Sequence, residues 1–281
     1  MTTRKRFRFL ERQRPTRRPV AHGRRTERPI LKDAADIAAL QRAGHLVALA
    51  FDLLADAVRP GARLDALDGM VEAFIRDHGA EPLYKGYRGT PPTHPPFSGV
   101  ICASVNDEIC HGPPRPLALA EGDIVGIDIG LKLDGFCGDA CVTFPVGQIA
   151  PAAERLLAVT RECLYRGIDA ARVGHRLYDI GHAVQAHAEA NGYSVVREWG
   201  GHGIGRQLHE APSVPHTGER ENDLVLRAGM VFTIEPMINA GGADCALTDD
   251  GWTVVTVDGS LSAQFEHTIA ITPDGPLILS R

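Results

Sequence analysis

The sequence predicts an α+β protein built twice over, and three observations carry that expectation. Each half of the 281 residues reads as two helical segments followed by strands. In both halves a glycine stands six positions before an acid set among aliphatic residues, Gly122 before Asp128 and Gly229 before Glu235. Each half then supplies a second acid further on, Asp139 and Glu266. An internal duplication of about 110 residues, giving two similar units that close on a shared site, accounts for all three.

The elements follow in order. Asp33 is the N-cap of a first helix reaching about Val58, with Ile37, Leu40, Val47, Phe51 and Leu54 at helical intervals and Pro60-Gly61 as its stop. A second helix runs from about Leu64 to His78, with Leu67, Met70, Val71, Phe74 and Ile75 facing inward and Gly79 beyond its end. Strands are expected at 99–105, 123–131 and 141–146. Pro151 opens a third helix to about Ala171, and a fourth spans Leu177 to Ala190 before Asn191-Gly192. Strands at 230–238, 252–257 and 265–272 complete the second half. Between them lies "GHGIGRQLHEAPSVPH" (201–216), too rich in glycine for a helix and too irregular for an ordinary strand.

Composition narrows the class. With 44% hydrophobic and 23% charged residues the chain reads as a soluble globular protein, and no apolar stretch of about 18 residues suggests a membrane span. The net charge of -5 conceals a basic arm. Residues 1–29 hold 11 Lys and Arg against Glu11 and Glu27, and the arm lacks the apolar core of a secretory signal. It reads as a solvated, disordered extension covering residues 1–30, as an arm drawn to polyanions such as RNA, or as an organelle presequence lacking the usual serines. Six cysteines at 102, 110, 137, 141, 163 and 245 form no paired framework, which points to a reducing cytoplasm. Cys137 and Cys141 lack the second pair that a structural zinc needs.

Chemistry concentrates in the embedded acids. A lone carboxylate among aliphatic residues must be paired, protonated or bound to a cation. The "KLDG" turn at 132–135 lets a hairpin bring Asp128 and Asp139 to one end of adjacent strands, and Glu235 and Glu266 are placed to do likewise. Four clustered carboxylates repel one another unless cations neutralise them. With one imidazole from the 201–216 segment they suit two divalent ions such as Mn, Fe, Co or Zn.

"VNDEICHG" (105–112), "GDIVGIDIG" with "DGFCGD", "GHGIGRQLHEAP", "FTIEPMI" and "DGWTVVTVDGSLSAQFEHT" occur in this order, and together they resemble the type I methionine aminopeptidases over roughly residues 31–281. The resemblance implies a pita-bread fold, in which two pseudo-symmetric halves (about 31–150 and 151–281) form one catalytic domain with a central curved antiparallel sheet and helices outside. It implies two divalent cations held by Asp128, Asp139, His202, Glu235 and Glu266. His111 and His209 would be unligated imidazoles acting on the substrate, and Glu235 would also shuttle a proton. Tyr87, Phe97, Cys102, Leu208 and Trp252 would line an apolar pocket for the methionine side chain. The implied reaction is removal of the N-terminal methionine from nascent polypeptides with a small second residue, by a monomer in the cytoplasm, with the basic arm free to contact the ribosome or RNA.

Other histidines, among them His94, His216 and His267, read as ordinary core or surface residues, His267 pointing away from its neighbour Glu266. The chain also departs from the family pattern. Gly130 and Ala140 replace hydroxyl residues beside the two aspartates, Cys137 replaces a common histidine, and a proline-rich loop, "TPPTHPPFS" (90–98), is inserted ahead of "ICASVND". Two rival readings remain. An Xaa-Pro peptidase on the same fold would keep the five ligands, and a binding scaffold without catalysis would have lost some of them. The 30 residues between Glu235 and Glu266 leave no room for the insertion of the type II relatives.

Overall fold

Asp33 caps the first helix through its side chain, which accepts a hydrogen bond of 2.8 Å from the Asp36 backbone N–H. The helix, α1, spans Ala34–Ala55. The structure, a computed structural model, describes residues 28–89, 92–218 and 224–281; the readings of the arm before residue 28, and of Thr90 and Pro91 in the proline-rich loop, lie outside the described residues. α1 is long and apolar enough to match a membrane span by composition, which the sequence reading had not allowed for. Leu40, Ala43, Val47, Ala50 and Leu54 on it are fully buried within the protein's own core.

α2 spans Leu64–Asp77 and is followed by β1 (Glu81–Pro82), β2 (Ile101–Val105), β3 (Glu108–Cys110), β4 (Ile124–Leu133) and β5 (Phe136–Pro145). β4 and β5 pair along their whole length. The two-residue link Asp134-Gly135 has positive φ at both positions, 50° and 81°, the backbone of a tight hairpin turn whose twist suits paired strands. β5 therefore begins five residues before the expected strand at 141, because pairing with β4 holds the glycine-containing stretch 136–140 extended. A Cβ at Gly138 would come within 2.5 Å of the Ala43 backbone, so this glycine is what lets α1 rest directly on β5.

The second run repeats the pattern. α3 (Pro151–Ala170) and α4 (Leu177–Ala190) precede β6 (Ser194–Val195), β7 (Gly201–Gly203), β8 (Glu210–Val214), β9 (Val231–Ile234), β10 (Met237–Asn239), β11 (Cys245–Leu247), β12 (Val254–Thr256), β13 (Ser262–Gln264), β14 (His267–Thr272) and β15 (Gly275–Ile278). The histidine-rich segment does form strands, contrary to the sequence reading. β7 and β8 pair antiparallel with a register shift between His202 and Gly203, and that bulge is the irregularity visible in the sequence. The expected strand at 230–238 is two strands. Pro236 has no N–H to continue the ladder, and the chain passes from a sheet ordered β15-β14-β9-β7-β8 to one ordered β13-β10-β6.

Apolar side chains of α1 and α2, including Val47, Leu54, Leu67 and Val71, pack on Ile127, Ile129 and Leu131 of β4. Leu164, Ile168 and Ile180 of α3 and α4 pack on Phe232, Ile234 and Ile269. The two runs are stitched together along β5. The Glu266 N–H donates to the Cys141 carbonyl (2.9 Å), the Thr268 hydroxyl to the Asp139 carbonyl (2.8 Å), and the Thr143 hydroxyl to the Gln264 carbonyl (2.7 Å).

Candidate metal centre

The seam is where the embedded acids meet. In the β4–β5 hairpin Asp128 lies opposite Cys141 and Gly130 opposite Asp139, so strand alternation directs both aspartates to one face of the sheet. Glu235 sits at the break between β9 and β10, and Glu266 immediately before β14. His202 projects from the bulged β7. Ligand atoms of Asp139, His202 and Glu266 lie within 4.8 Å of one another. His202 Nε2 is 3.6 Å from Asp139 Oδ2 and 3.7 Å from Glu235 Oε1.

Each of these groups is oriented by its surroundings. His202 Nδ1 donates to the Gly203 carbonyl at 3.1 Å, which leaves the Nε2 lone pair facing the acids. Thr233 does two jobs with one hydroxyl, accepting from the His202 backbone N–H (3.0 Å) and donating to Glu235 Oε1 (2.8 Å). Gln264 Nε2 is 3.3 Å from Glu235 Oε2. His216, read from sequence as an ordinary residue, is buried with its Nε2 accepting from the Glu235 backbone N–H at 3.0 Å. Tyr84, not singled out in the sequence, places its hydroxyl 2.6 Å from Asp128 Oδ1 and 2.6 Å from Asp139 Oδ1.

The electrostatics are those of a site short of positive charge. Burial pushes the Asp128 carboxyl up to about 7 and Glu235 to about 8. Asp139 and Glu266 rise well above the usual carboxylate range, through burial first and the neighbouring acids second. Burial also drives His202 down to about 3, so it stands neutral as a nitrogen donor. Glu266 Oε1 is buried with no hydrogen-bond partner. A carboxylate oxygen left orphaned among three other acids and a neutral imidazole is a poor solution for a metal-free protein and a good one for cation binding. Oxygen donors with a single imidazole fit hard or intermediate divalent ions.

The other predicted residues surround this group. His111, with φ of 58°, is half-buried and stands edge-on to Trp199 at 4.8 Å, and burial lowers its imidazole to about 4. The rings of His209 and His202 meet edge-on at 4.4 Å, and His209 Nδ1 is 3.1 Å from the Tyr87 hydroxyl. Phe97 and Cys102 cluster with Tyr84, with Leu83, Leu208 and Trp252 packed against them. Trp252 stands 5.2 Å from Phe97 and 6.2 Å from Tyr87. The five pocket positions thus adjoin one another, and Tyr84 and Leu83 belong with them.

The proline-rich loop is tied to this cluster. His94 Nδ1 donates to the Gly251 carbonyl (2.7 Å), and Trp252 Nε1 donates to the Pro95 carbonyl (3.0 Å). The His94 and Trp252 rings lie 4.7 Å apart. His267 turns from the acids toward Ser280, with Nδ1 3.0 Å from its hydroxyl.

The model of metallopeptidase family M24 matches residues 38–273. Methionine aminopeptidase B of Synechocystis sp. is 46% identical over 252 residues, covering 89% of this chain and 91% of that protein. Methionine aminopeptidase 1 of Bacillus subtilis is 46% identical over 252 residues, covering 90% and 99%. Among solved structures, the crystal structure of methionine aminopeptidase from Rickettsia prowazekii superposes with a TM-score of 0.86 at 42% identity, covering 90% of this chain and all of that one.

Proposed function

The chain belongs to metallopeptidase family M24 and, within it, to the methionine aminopeptidases of the pita-bread fold, and from that premise we propose a division of labour among its residues. The reaction is hydrolysis of the bond after an N-terminal methionine when the second residue is small, on nascent proteins and peptides. Asp128, Asp139, His202, Glu235 and Glu266 hold two divalent cations. The observation that carries this reading is the orphaned Glu266 oxygen beside acids and an imidazole contributed from β4, β5, β7 and the end of β9.

Ions held by these residues would supply Lewis acidity, lowering the pKa of a bound water toward neutrality and polarising a carbonyl. The chain's own groups do the rest. Glu235, fixed through Thr233 and Gln264, carries a proton from the attacking water to the leaving amine nitrogen. His209 donates to the carbonyl oxygen as its charge develops, with the Tyr87 hydroxyl engaging its Nδ1 so that Nε2 bears the donated proton. His111, held by its packing on Trp199, engages the scissile amide nitrogen. Tyr87, Phe97, Cys102, Leu208 and Trp252 enclose the methionine side chain, a soft aromatic and thiol lining suited to a thioether.

The domain is a single catalytic unit from residue 31 to 281, acting as a monomer in the cytoplasm; the six unpaired cysteines support a reducing compartment. The 11 basic residues before Leu31 support contact with ribosomal RNA at the point where new N-termini emerge. Deleting residues 1–29 is expected to weaken ribosome co-sedimentation steeply with salt while peptide cleavage stays unchanged, and undiminished co-sedimentation would remove that contact. The catalytic reading is tested with Met-Ala-Ser, its N-acetylated form and a Met-Leu peptide. Dialysis against chelator should abolish cleavage, readdition of Mn, Co, Fe or Zn should restore it, and turnover of the acetylated peptide would count against the reading.

A further inference from the structure

Tyr84 touches both aspartates of the hairpin, and the division of labour above leaves it unused. It follows β1, is 8% exposed, and meets Phe97 edge-on at 6.3 Å, so its ring belongs to the pocket wall. Its hydroxyl reaches past that wall to Asp128 Oδ1 and Asp139 Oδ1.

Two further observations separate this contact from ordinary packing. The first is Gly130. A Cβ at that position would fall 2.7, 2.8 and 2.9 Å from Cε1, Cζ and the hydroxyl oxygen of Tyr84. Any side chain at 130 would therefore displace the phenol, and the strand carries glycine where it faces Asp139. The second is the orientation of Asp139. Its Oδ1 is engaged by the phenol, and its Oδ2 faces His202 Nε2 at 3.6 Å. The phenol thus fixes which oxygen of the carboxylate points to the centre. Gly130 and Ala140 provide no hydroxyl beside the aspartates, and Tyr84 brings one from a different element of the fold.

We propose that Tyr84 is a positioning residue of the metal centre, its one O–H donating to Asp139 Oδ1 and so holding that carboxylate in its binding orientation, and that Gly130 is the vacancy that admits it. The inference rests on the metal reading of the four acids and one imidazole. Groups that orient ligands in this way typically contribute a factor of about 10 to 100 in metal affinity.

The test is a calorimetric titration of dialysed protein with Mn²⁺ and with Co²⁺. Tyr84→Phe retains the ring and removes only the hydroxyl. Its Kd should weaken about 10- to 100-fold, with an unchanged far-ultraviolet spectrum. A second arm exploits the steric pairing. Gly130→Thr in the wild-type chain should weaken metal binding, whereas Gly130→Thr added to Tyr84→Ala should strengthen it by returning a hydroxyl to the emptied space. Equal Kd values for wild type and Tyr84→Phe would overturn the proposal and leave Tyr84 as pocket wall, as would the same sign of effect for Gly130→Thr in both backgrounds. Wild-type protein that bound neither cation would instead sink the metal reading itself.

Discussion

Thr233 has one hydroxyl and spends both of its hydrogen-bonding directions inside the site, between the His202 N–H and Glu235 Oε1. Replacing it by the isosteric valine keeps the volume and leaves a buried donor and a buried carboxylate without that partner. Thr233→Val should cost about 1–3 kcal/mol in urea unfolding of the metal-free protein and also weaken metal binding measured by calorimetry. His209 is different in kind, because it contacts the ring of His202 without a hydrogen bond to any of the acids among the described contacts. His209→Ala should lower kcat by about 10²- to 10³-fold with metal content by elemental analysis unchanged. Loss of metal in that variant would contradict the separation of roles. The four acids stand out in the sequence because carboxylates inside apolar strands are conspicuous, whereas His202 is singled out from its histidine-rich segment only by the family resemblance. Tyr84 and His216 do not stand out, because a lone tyrosine or histidine among apolar neighbours looks like core. The partners that change their meaning lie 44 and 55 residues away for Tyr84 and 19 away for His216.

At the scale of elements, α2, α3 and α4 end within a residue of their expected bounds because periodicity and glycine stops are local signals, while α1 stops at Ala55, short of Val58, and Met70, expected inward, is exposed. The strands were read less well. β7 and β8 escaped because a bulge hides the alternation, and the division of β9 from β10 at Pro236 shows only when each finds a separate sheet. The inserted loop reaches Gly251 and Trp252 through His94 and Pro95. Its two hydrogen bonds to the Gly251-Trp252 backbone and indole make it a brace on a pocket wall. His94→Ala removes one brace and the ring that lies 4.7 Å from the indole. A lost hydrogen bond of about 1 kcal/mol corresponds to about a fivefold rise in KM for methionyl peptides, with kcat little changed; His94→Gln, able to donate to the same carbonyl, should recover part of it. Steady-state kinetics on both variants decides the matter, and an unaltered KM for His94→Ala would mean that Trp252 needs no brace.

For the whole molecule, the cost of gathering four acids at a buried seam is a stability that depends on pH and on metal. The folded, metal-free chain keeps protons on Asp128 to about pH 7 and on Glu235 to about pH 8, and on Asp139 and Glu266 well above their ordinary range. The unfolded chain releases the same protons near pH 4. Between those values the folded state binds more protons than the unfolded one, so the stability of the metal-free protein falls as pH rises through that window. Cations relieve the repulsion, so chelator should lower the Tm by several degrees at pH 8 and by much less at pH 5. A chelator effect of equal size at both pH values in a thermal melt would contradict this account.

The seam along β5 has a further consequence. Asp128 and Asp139 precede Pro151, His202, Glu235 and Glu266 follow it, and the hydrogen bonds from Glu266, Thr268 and Thr143 are what bring the two sets into register. Neither segment alone owns a complete set of donors. Expressed as two polypeptides divided near Ala150, the chain becomes a fragment-complementation pair whose peptide cleavage reports reassembly, and disrupting Thr143 and Thr268 together would silence the signal without touching a single proposed ligand.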